Sequence, residues 1–336
     1  MAETQDRKFD VIQRPPKIYL DTNHLINIAD VRKGKKLPPG QSEGCYRRLD
    51  DCIRSYCGLI FNPIATMDWV GGKASTQSIS EIAAVVDSAN LKYVALDADF
   101  FVYTREILDQ CRKQNPSIHV PDLPPILQNV SDNSTILSPL HIIMNHVSEY
   151  LEKSLTEAIE EQGGLPNEIP VFTVVEWVNE IFKQRLQNPK NYQSRTDSFI
   201  KRFNYDIEHK DEYFRNPNHH RLEWFKKILK VDKILKAFNP KINVDNILEK
   251  IDIKGCPAID LLWKFHEIRM KNGNLLRDEN DVDDYMFIPI VPYADVMLIE
   301  TKFKGTIVQA DNSLKSKVFS KVSDALNALE NQGFTW

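Results

Sequence analysis

Hydrophobic positions in this chain follow two patterns. Near both ends, short fully apolar runs alternate with amphipathic stretches, whereas the middle carries amphipathic stretches alone. Lys17-Ile18-Tyr19-Leu20, behind Pro15-Pro16, reads as a strand, and Asp21-Thr22-Asn23-His24 leads from it into a helical start at Leu25-Ile26-Asn27-Ile28. Fully apolar runs suit strands buried on both faces of a parallel sheet. Residues 32–44 are basic and rich in Gly and Pro, which predicts a loop. Tyr46 to Tyr56 can form a helix, and Gly58-Leu59-Ile60-Phe61 reads as a second strand. Pro63 opens a helix through Trp69-Val70 that Gly71-Gly72 ends. Ile79, Ile82, Ala83 and Val86 share one face of a helix from Ser78 to Ala89.

Residues 115–140, with Pro116, Pro121, Pro124, Pro125 and Pro139, read as a linker or irregular excursion. From Leu140 to Met270 the pattern is mainly helical, with His141–Gln162, Val171–Leu186 and His220–Phe238 having helical length and spacing. Val296-Met297-Leu298-Ile299 reads as a buried parallel strand, Thr306–Gln309 as another, and Ser313–Glu330 as a helix. The expected fold is therefore α/β, a parallel sheet flanked by helices. Its two parts cover residues 17–112 and 255–336, separated by a largely α-helical insertion at 113–254.

Composition changes this picture little. Of 336 residues, 42% are hydrophobic and 27% charged, which excludes a mainly disordered chain. A net charge of -4 names no partner, although a local basic stripe is compatible with nucleic acid. No apolar run approaches the roughly 18 residues of a membrane span. The opening residues lack the apolar core of a secretory signal, so a cytoplasmic location is expected. Cys52 and Cys57 have no second pair at zinc-finger spacing, so the five cysteines are expected to be reduced thiols, mostly buried.

Carboxylates mark the strand ends. Asp21 directly follows the first strand and Glu300 the late one, where open parallel sheets bind ligands. Asp68 lies on the short helix after the second strand, and Asp278 to Asp284 holds five carboxylates in seven residues. Such a run suits a solvated loop or helix start, or else carboxylates converging on a hard divalent cation. Oxygen donors suit Mg²⁺ or Mn²⁺, which can activate water toward a phosphodiester.

Ile18-Tyr19-Leu20-Asp21-Thr22-Asn23 resembles the opening motif of the PIN-domain nuclease family, a hydrophobic strand followed by D-T-N. Asp281-x-x-Asp284, then Pro292-Tyr293-Ala294-Asp295 and the run to Glu300, resembles the last acidic stretch of larger bacterial PIN-like proteins. The likeness covers roughly residues 17–110 and 255–330 and leaves out the helical middle. It implies a ribonuclease in which Asp21, Asp68, Asp284 and Glu300 hold the metal. Asn23 would then orient the first acid or its loop, and Asp281 and Asp295 would support the site. The family usually has Glu where Asp68 stands and often Asp where Glu300 stands, and Glu81 on the next helix is a rival for the second position. Retention of the fold without turnover, as a binding or scaffold protein, and a structure-specific DNA nuclease are the alternatives.

A basic surface would carry the nucleic acid, most naturally single-stranded RNA. Lys201, Arg202, Lys226, Lys227 and Lys230 fall in the helical middle, interleaved with aromatics that include Phe199, Phe203 and Tyr213. Single strands need backbone neutralisation and stacking platforms, although a solvated basic helix face gives the same pattern. The insertion could also serve as a homo-oligomer contact or dock a regulatory partner. His24 falls beside the motif, with either a structural or a site role open to it. A dehalogenase-type phosphatase would want Asp where Asn23 stands, and no P-loop, dinucleotide turn or nucleophile elbow occurs.

Overall fold

The computed structural model describes residues 14–61, 76–89, 93–95, 102–114, 127–129, parts of 175–224, 243–273, 285 and 287–336. In chain order the elements are β1 (Ile18–Leu20), α1 (Thr22–Arg32), α2 (Glu43–Tyr56), β2 (Ile60–Phe61), α3 (Thr76–Asp87), β3 (Tyr93–Ala95), α4 (Tyr103–Gln114) and β4 (Leu127–Asn129). They continue with α5 (Lys210–Arg215), α6 (Val244–Lys250), α7 (Pro257–Asn272), β5 (Val296–Leu298), α8 (Thr301–Ala310), β6 (Val318–Phe319) and α9 (Val322–Asn331).

The two ends of the chain build one sheet. β1 pairs in parallel with β5, in the register Ile18↔Val296, Tyr19↔Met297 and Leu20↔Leu298, and β5 pairs in parallel with β6. A second sheet pairs β2 in parallel with β3 and β3 antiparallel with β4. A parallel bridge between Ile18 and Leu59 joins the two, with the Ile18 amide donating to the Gly58 carbonyl at 2.9 Å. Successive strand side chains point to opposite faces, and both faces are covered. Ile18, Leu20, Val296 and Leu298 pack with α1, α2 and α9, while Tyr19, Met297 and Val318 pack with α7 and α8. That two-sided burial is why the strands read as unbroken apolar runs. The α/β class with a parallel sheet is therefore present.

Several elements differ from the expectation. Thr306–Gln309 lies within α8, whose buried residues Phe303 and Ile307 are one helical turn apart. The last strand is Val318–Phe319, and the helix after it begins at Val322 instead of Ser313. β3 and α4 carried no expectation, and β4 falls inside the segment read as irregular. The helix expected from Pro63, His141–Gln162, and most of Val171–Leu186 and His220–Phe238 lie outside the described residues. Where the helical middle is described, it shares a core with the second half. Phe203, Ile207, Tyr213, Trp224 and Leu248 belong to the same apolar cluster as α7. All five cysteines are free, and burial pushes the Cys52 thiol up to about 12.

α7 has a cap from outside its own sequence. Its N-cap residue Cys256 makes no side-chain capping bond, and Pro257 opens the helix. The Glu106 carboxylate, from α4, accepts the Ala258 amide at 2.7 Å and the Ile259 amide at 3.0 Å, and the Tyr293 hydroxyl also donates to it. Burial pushes the Glu106 carboxyl up to about 7 against the pull of these three donors. Further along α7, His266 is 1% exposed among Phe203, Trp224 and Trp263. Burial, aided by the Arg269 charge, lowers its pKa to about 3.

Two outcomes follow from these contacts. A Cβ on Gly58 would lie 2.3 Å from the Pro16 carbonyl oxygen, so the backbones at the head of β1 approach too closely for a side chain. Gly58→Ala should lower unfolding free energy by about 1–3 kcal/mol, the usual scale of overpacking, as measured by urea titration. His266 stays neutral in the fold while the unfolded chain gains a proton below its ordinary value of 6.5. Its contribution is present above pH 6.5 and lost as pH falls toward 3. The denaturation midpoint should therefore drop between pH 7 and pH 4.5, with a shallower slope in His266→Phe.

Candidate functional site

Because β1, β5 and β6 run in the same direction, their carboxyl ends meet at one edge of the sheet. Asp21 follows β1, Ile299-Glu300 follows β5, and Ser320 follows β6, and all of them line a single open cleft of about 560 Å³. The Asp21 amide donates to the Leu298 carbonyl at 2.9 Å, fixing the two strand exits side by side. Asn23 Nδ2 donates to Glu300 Oε1 at 3.0 Å, across 277 residues of sequence. The motif at the start of the chain and the acid near its finish are thus in direct contact.

Each carboxylate also begins a helix. Asp21 is the N-cap of α1, with Oδ1 accepting the Thr22 amide at 2.8 Å, and Glu300 is the N-cap of α8 without a side-chain capping bond. Two helix N-termini, each carrying partial positive charge, therefore open on the cleft and favour anions there. Lys302 Nζ lies 3.5 Å from Glu300 Oε2.

The wall formed by α1 holds a polar stripe. Asn23, Asn27 and Asp30 recur at helical spacing and line the cleft together with His24. Behind them, in α2, the fully buried Tyr46 acts as a hub. Its hydroxyl lies 2.8 Å from His24 Nδ1, accepts Asn27 Nδ2 at 2.8 Å, and reaches Gln41 Oε1 at 3.3 Å. Burial lowers the His24 pKa to about 4, so the imidazole is neutral at ordinary pH.

Other expected residues sit elsewhere. Asp295 stands at the opposite end of β5 from Glu300. Its carboxylate takes the Arg14 guanidinium through two bonds, at 2.7 and 2.9 Å, and the Lys17 amide at 2.9 Å. Burial opposes its ionisation, but those donors hold its carboxyl below the usual range. Glu81 pairs with Lys33 and, at 3.5 Å, with Lys35, and lines a separate cleft on the other side of α1. The Lys33 contact, with Lys35, holds that carboxyl below its ordinary value. The structure does not bring Asp295 or Glu81 to the Asp21–Glu300 edge.

Asp68, Asp281 and Asp284 lie outside the described residues, as do Arg202, Lys226, Lys227 and Lys230. Among the described residues no group of three or more His, Cys, Asp or Glu could hold a metal ion. Lys201 is exposed on the helical middle. Phe203 and Tyr213 are core residues, 2% and 5% exposed, so the stacking role read for them is corrected. Among the described residues there, the large exposed aromatics are Tyr205, stacked on His209 with ring centroids 3.8 Å apart, and Phe214.

Sequence reading missed Asn27, Asp30, Gln41 and Ser320. The stripe Asn23, Asn27, Asp30 was visible in the spacing. Ser320 was hidden by the misplaced last strand, and Gln41 lies in a loop that no periodicity describes.

Removing the hub hydroxyl should be costly. Tyr46→Phe leaves His24 and Asn27 without their shared partner and is expected to lower stability by about 1–3 kcal/mol, the penalty for buried polar groups losing a bond, read from chemical denaturation. Among the described residues no helix is long and apolar enough to cross a membrane. Comparisons of the chain with protein-family models, curated proteins and solved structures return no match.

Proposed function

We propose that the chain is a PIN-like, metal-dependent nuclease that hydrolyses single-stranded RNA at the carboxyl edge of its parallel sheet. One observation carries the reading: Asp21 and Glu300, from opposite ends of the sequence, line one cleft, and Asn23, two residues after Asp21, hydrogen-bonds Glu300. Acids at the carboxyl ends of adjacent parallel strands occupy the position where such sheets bind ligands.

The carboxylate oxygens of Asp21 and Glu300 suit Mg²⁺ or Mn²⁺ better than zinc. Asp21 and Glu300 would hold the ion, with Asp68 and Asp284 completing the set that the family resemblance implies. When bound, such an ion supplies Lewis acidity and lowers the pKa of a water near the scissile phosphate. The chain itself contributes orientation and charge. Asn23 fixes the Glu300 carboxylate, the α1 and α8 N-termini favour a phosphate group, and Lys302 offsets part of the acidic charge. The helical middle exposes Lys201 together with the aromatics Tyr205 and Phe214, residue types that suit an unpaired strand.

The test uses full-length protein, a 5′-labelled single-stranded RNA and Mn²⁺. Asp21→Asn and Glu300→Gln should each leave less than about one hundredth of wild-type cleavage, the scale of losing one group that stabilises the transition state. Asn caps a helix as well as Asp does, so the melting temperature of Asp21→Asn should hold or rise. Equal cutting by wild type and Asp21→Asn removes this site from the reaction. Single-stranded DNA and branched duplexes under the same buffer separate the ribonuclease from a structure-specific DNA nuclease. Mn²⁺ raising the melting temperature without cleavage of any substrate marks a binding protein instead.

A further inference from the structure

His24 has the geometry of a group built to face a ligand. It is 7% exposed and lines the same cleft as Asp21 and Glu300. Nδ1 is held by the Tyr46 hydroxyl at 2.8 Å. Nε2 makes no hydrogen bond to any described residue, and the ring lines the cleft. The orientation of the ring is over-determined. Tyr46 is itself fixed by Asn27 Nδ2 at 2.8 Å, and its other acceptor, Gln41 Oε1, is more distant at 3.3 Å.

The tautomer depends on where the one Tyr46 hydroxyl proton goes. The hydroxyl oxygen of Tyr46 accepts from Asn27, and two acceptors are in reach of its proton, Nδ1 of His24 at 2.8 Å and Gln41 Oε1 at 3.3 Å; we assign it to the nearer. The proton of the neutral ring is then on Nε2, and the cleft is offered an N–H donor.

We propose that His24 is a substrate-binding residue of this cleft, donating from Nε2–H to a phosphate oxygen of the nucleic acid, and that Tyr46 is its positioning residue. This rests on the nuclease reading of the same cleft. A neutral donor suits the place. Lys302 already pairs with Glu300, and a further lysine or arginine beside Asp21 would compete with a metal ion for the carboxylates. An imidazole N–H can hold a phosphate oxygen through a single hydrogen bond without doing so.

Two substitutions divide the ring's roles, because an Asn amide reaches about as far as Nδ1 and a Gln amide about as far as Nε2. In Mn²⁺ with labelled single-stranded RNA, His24→Asn should lower kcat/KM about tenfold, mostly through a higher KM, while keeping the Tyr46 bond and the melting temperature. His24→Gln should recover part of that loss. Should either variant fail to fold, wild-type protein with ¹⁵N-labelled histidine gives an independent reading. The His24 Nε2 resonance should shift when a phosphorothioate RNA oligomer binds, and in Tyr46→Phe the two ring nitrogens should redistribute their proton. Wild-type cleavage matched by His24→Asn, or oligomer binding that leaves the Nε2 signal unmoved, overturns the role of His24 and leaves the nuclease intact. Absence of cleavage by wild type on every substrate overturns the nuclease reading and this inference with it.

Discussion

The parallel pairing of β1 with β5 is the constraint on which the rest of the molecule depends. It joins strands of only three residues each, so few ladder hydrogen bonds hold it. Burial on both faces supplies the remainder, with Ile18, Leu20, Val296 and Leu298 in one layer and Tyr19 and Met297 in the other. A slip of one residue would exchange those layers, which is why register is strongly specified where both faces are buried. A polar clamp guards the same register at the end away from the cleft. There Asp295 takes Arg14 and the Lys17 amide, and its own amide donates to the Lys17 carbonyl at 2.9 Å. One carboxylate thus fixes where β5 starts, and another stands where β5 leaves the sheet.

That division explains how much could be read from residues alone. Strands β1 and β5 were legible because they are unbroken apolar runs, and Asp21 and Glu300 followed from their position at the exits. Asp295 belongs to the same local pattern, yet its role depends on Arg14, which lies 281 residues away in the chain and leaves no trace in local spacing. Glu81 is a rival by helix position, but Lys33 and Lys35 engage it, which local spacing does not reveal. The error at residues 306–309 has a simple cause. Ile307 and Val308 are β-branched and adjacent, but Phe303 four residues before Ile307 completes a helical face that packs on the core. Tertiary packing overrode local propensity there.

Polar groups inside the fold are handled in two ways. Glu106 is buried but meets three donors at the head of α7, so a helix end lacking a local cap is satisfied from another element. Tyr46 gathers His24, Asn27 and Gln41 onto one hydroxyl, which makes the α1 wall of the cleft a rigid polar surface. The contrast with the cleft rim is plain, since Glu300 and Lys302 are exposed and meet bulk water.

The sequence separation of 277 between Asn23 and Glu300 has a consequence for biosynthesis. During vectorial synthesis, the strand that carries Asp21 leaves the ribosome long before its neighbour β5 exists. The nascent β1 can meet the Gly58–Leu59 segment early, but its β5 edge stays unpaired, or in the hands of a chaperone, while residues 113–254 are translated. Pairings this distant in sequence form slowly because loop closure precedes any reward. The acidic edge therefore cannot assemble until translation is nearly finished, and a polypeptide truncated before β5 carries half of the cleft and none of the contact that completes it.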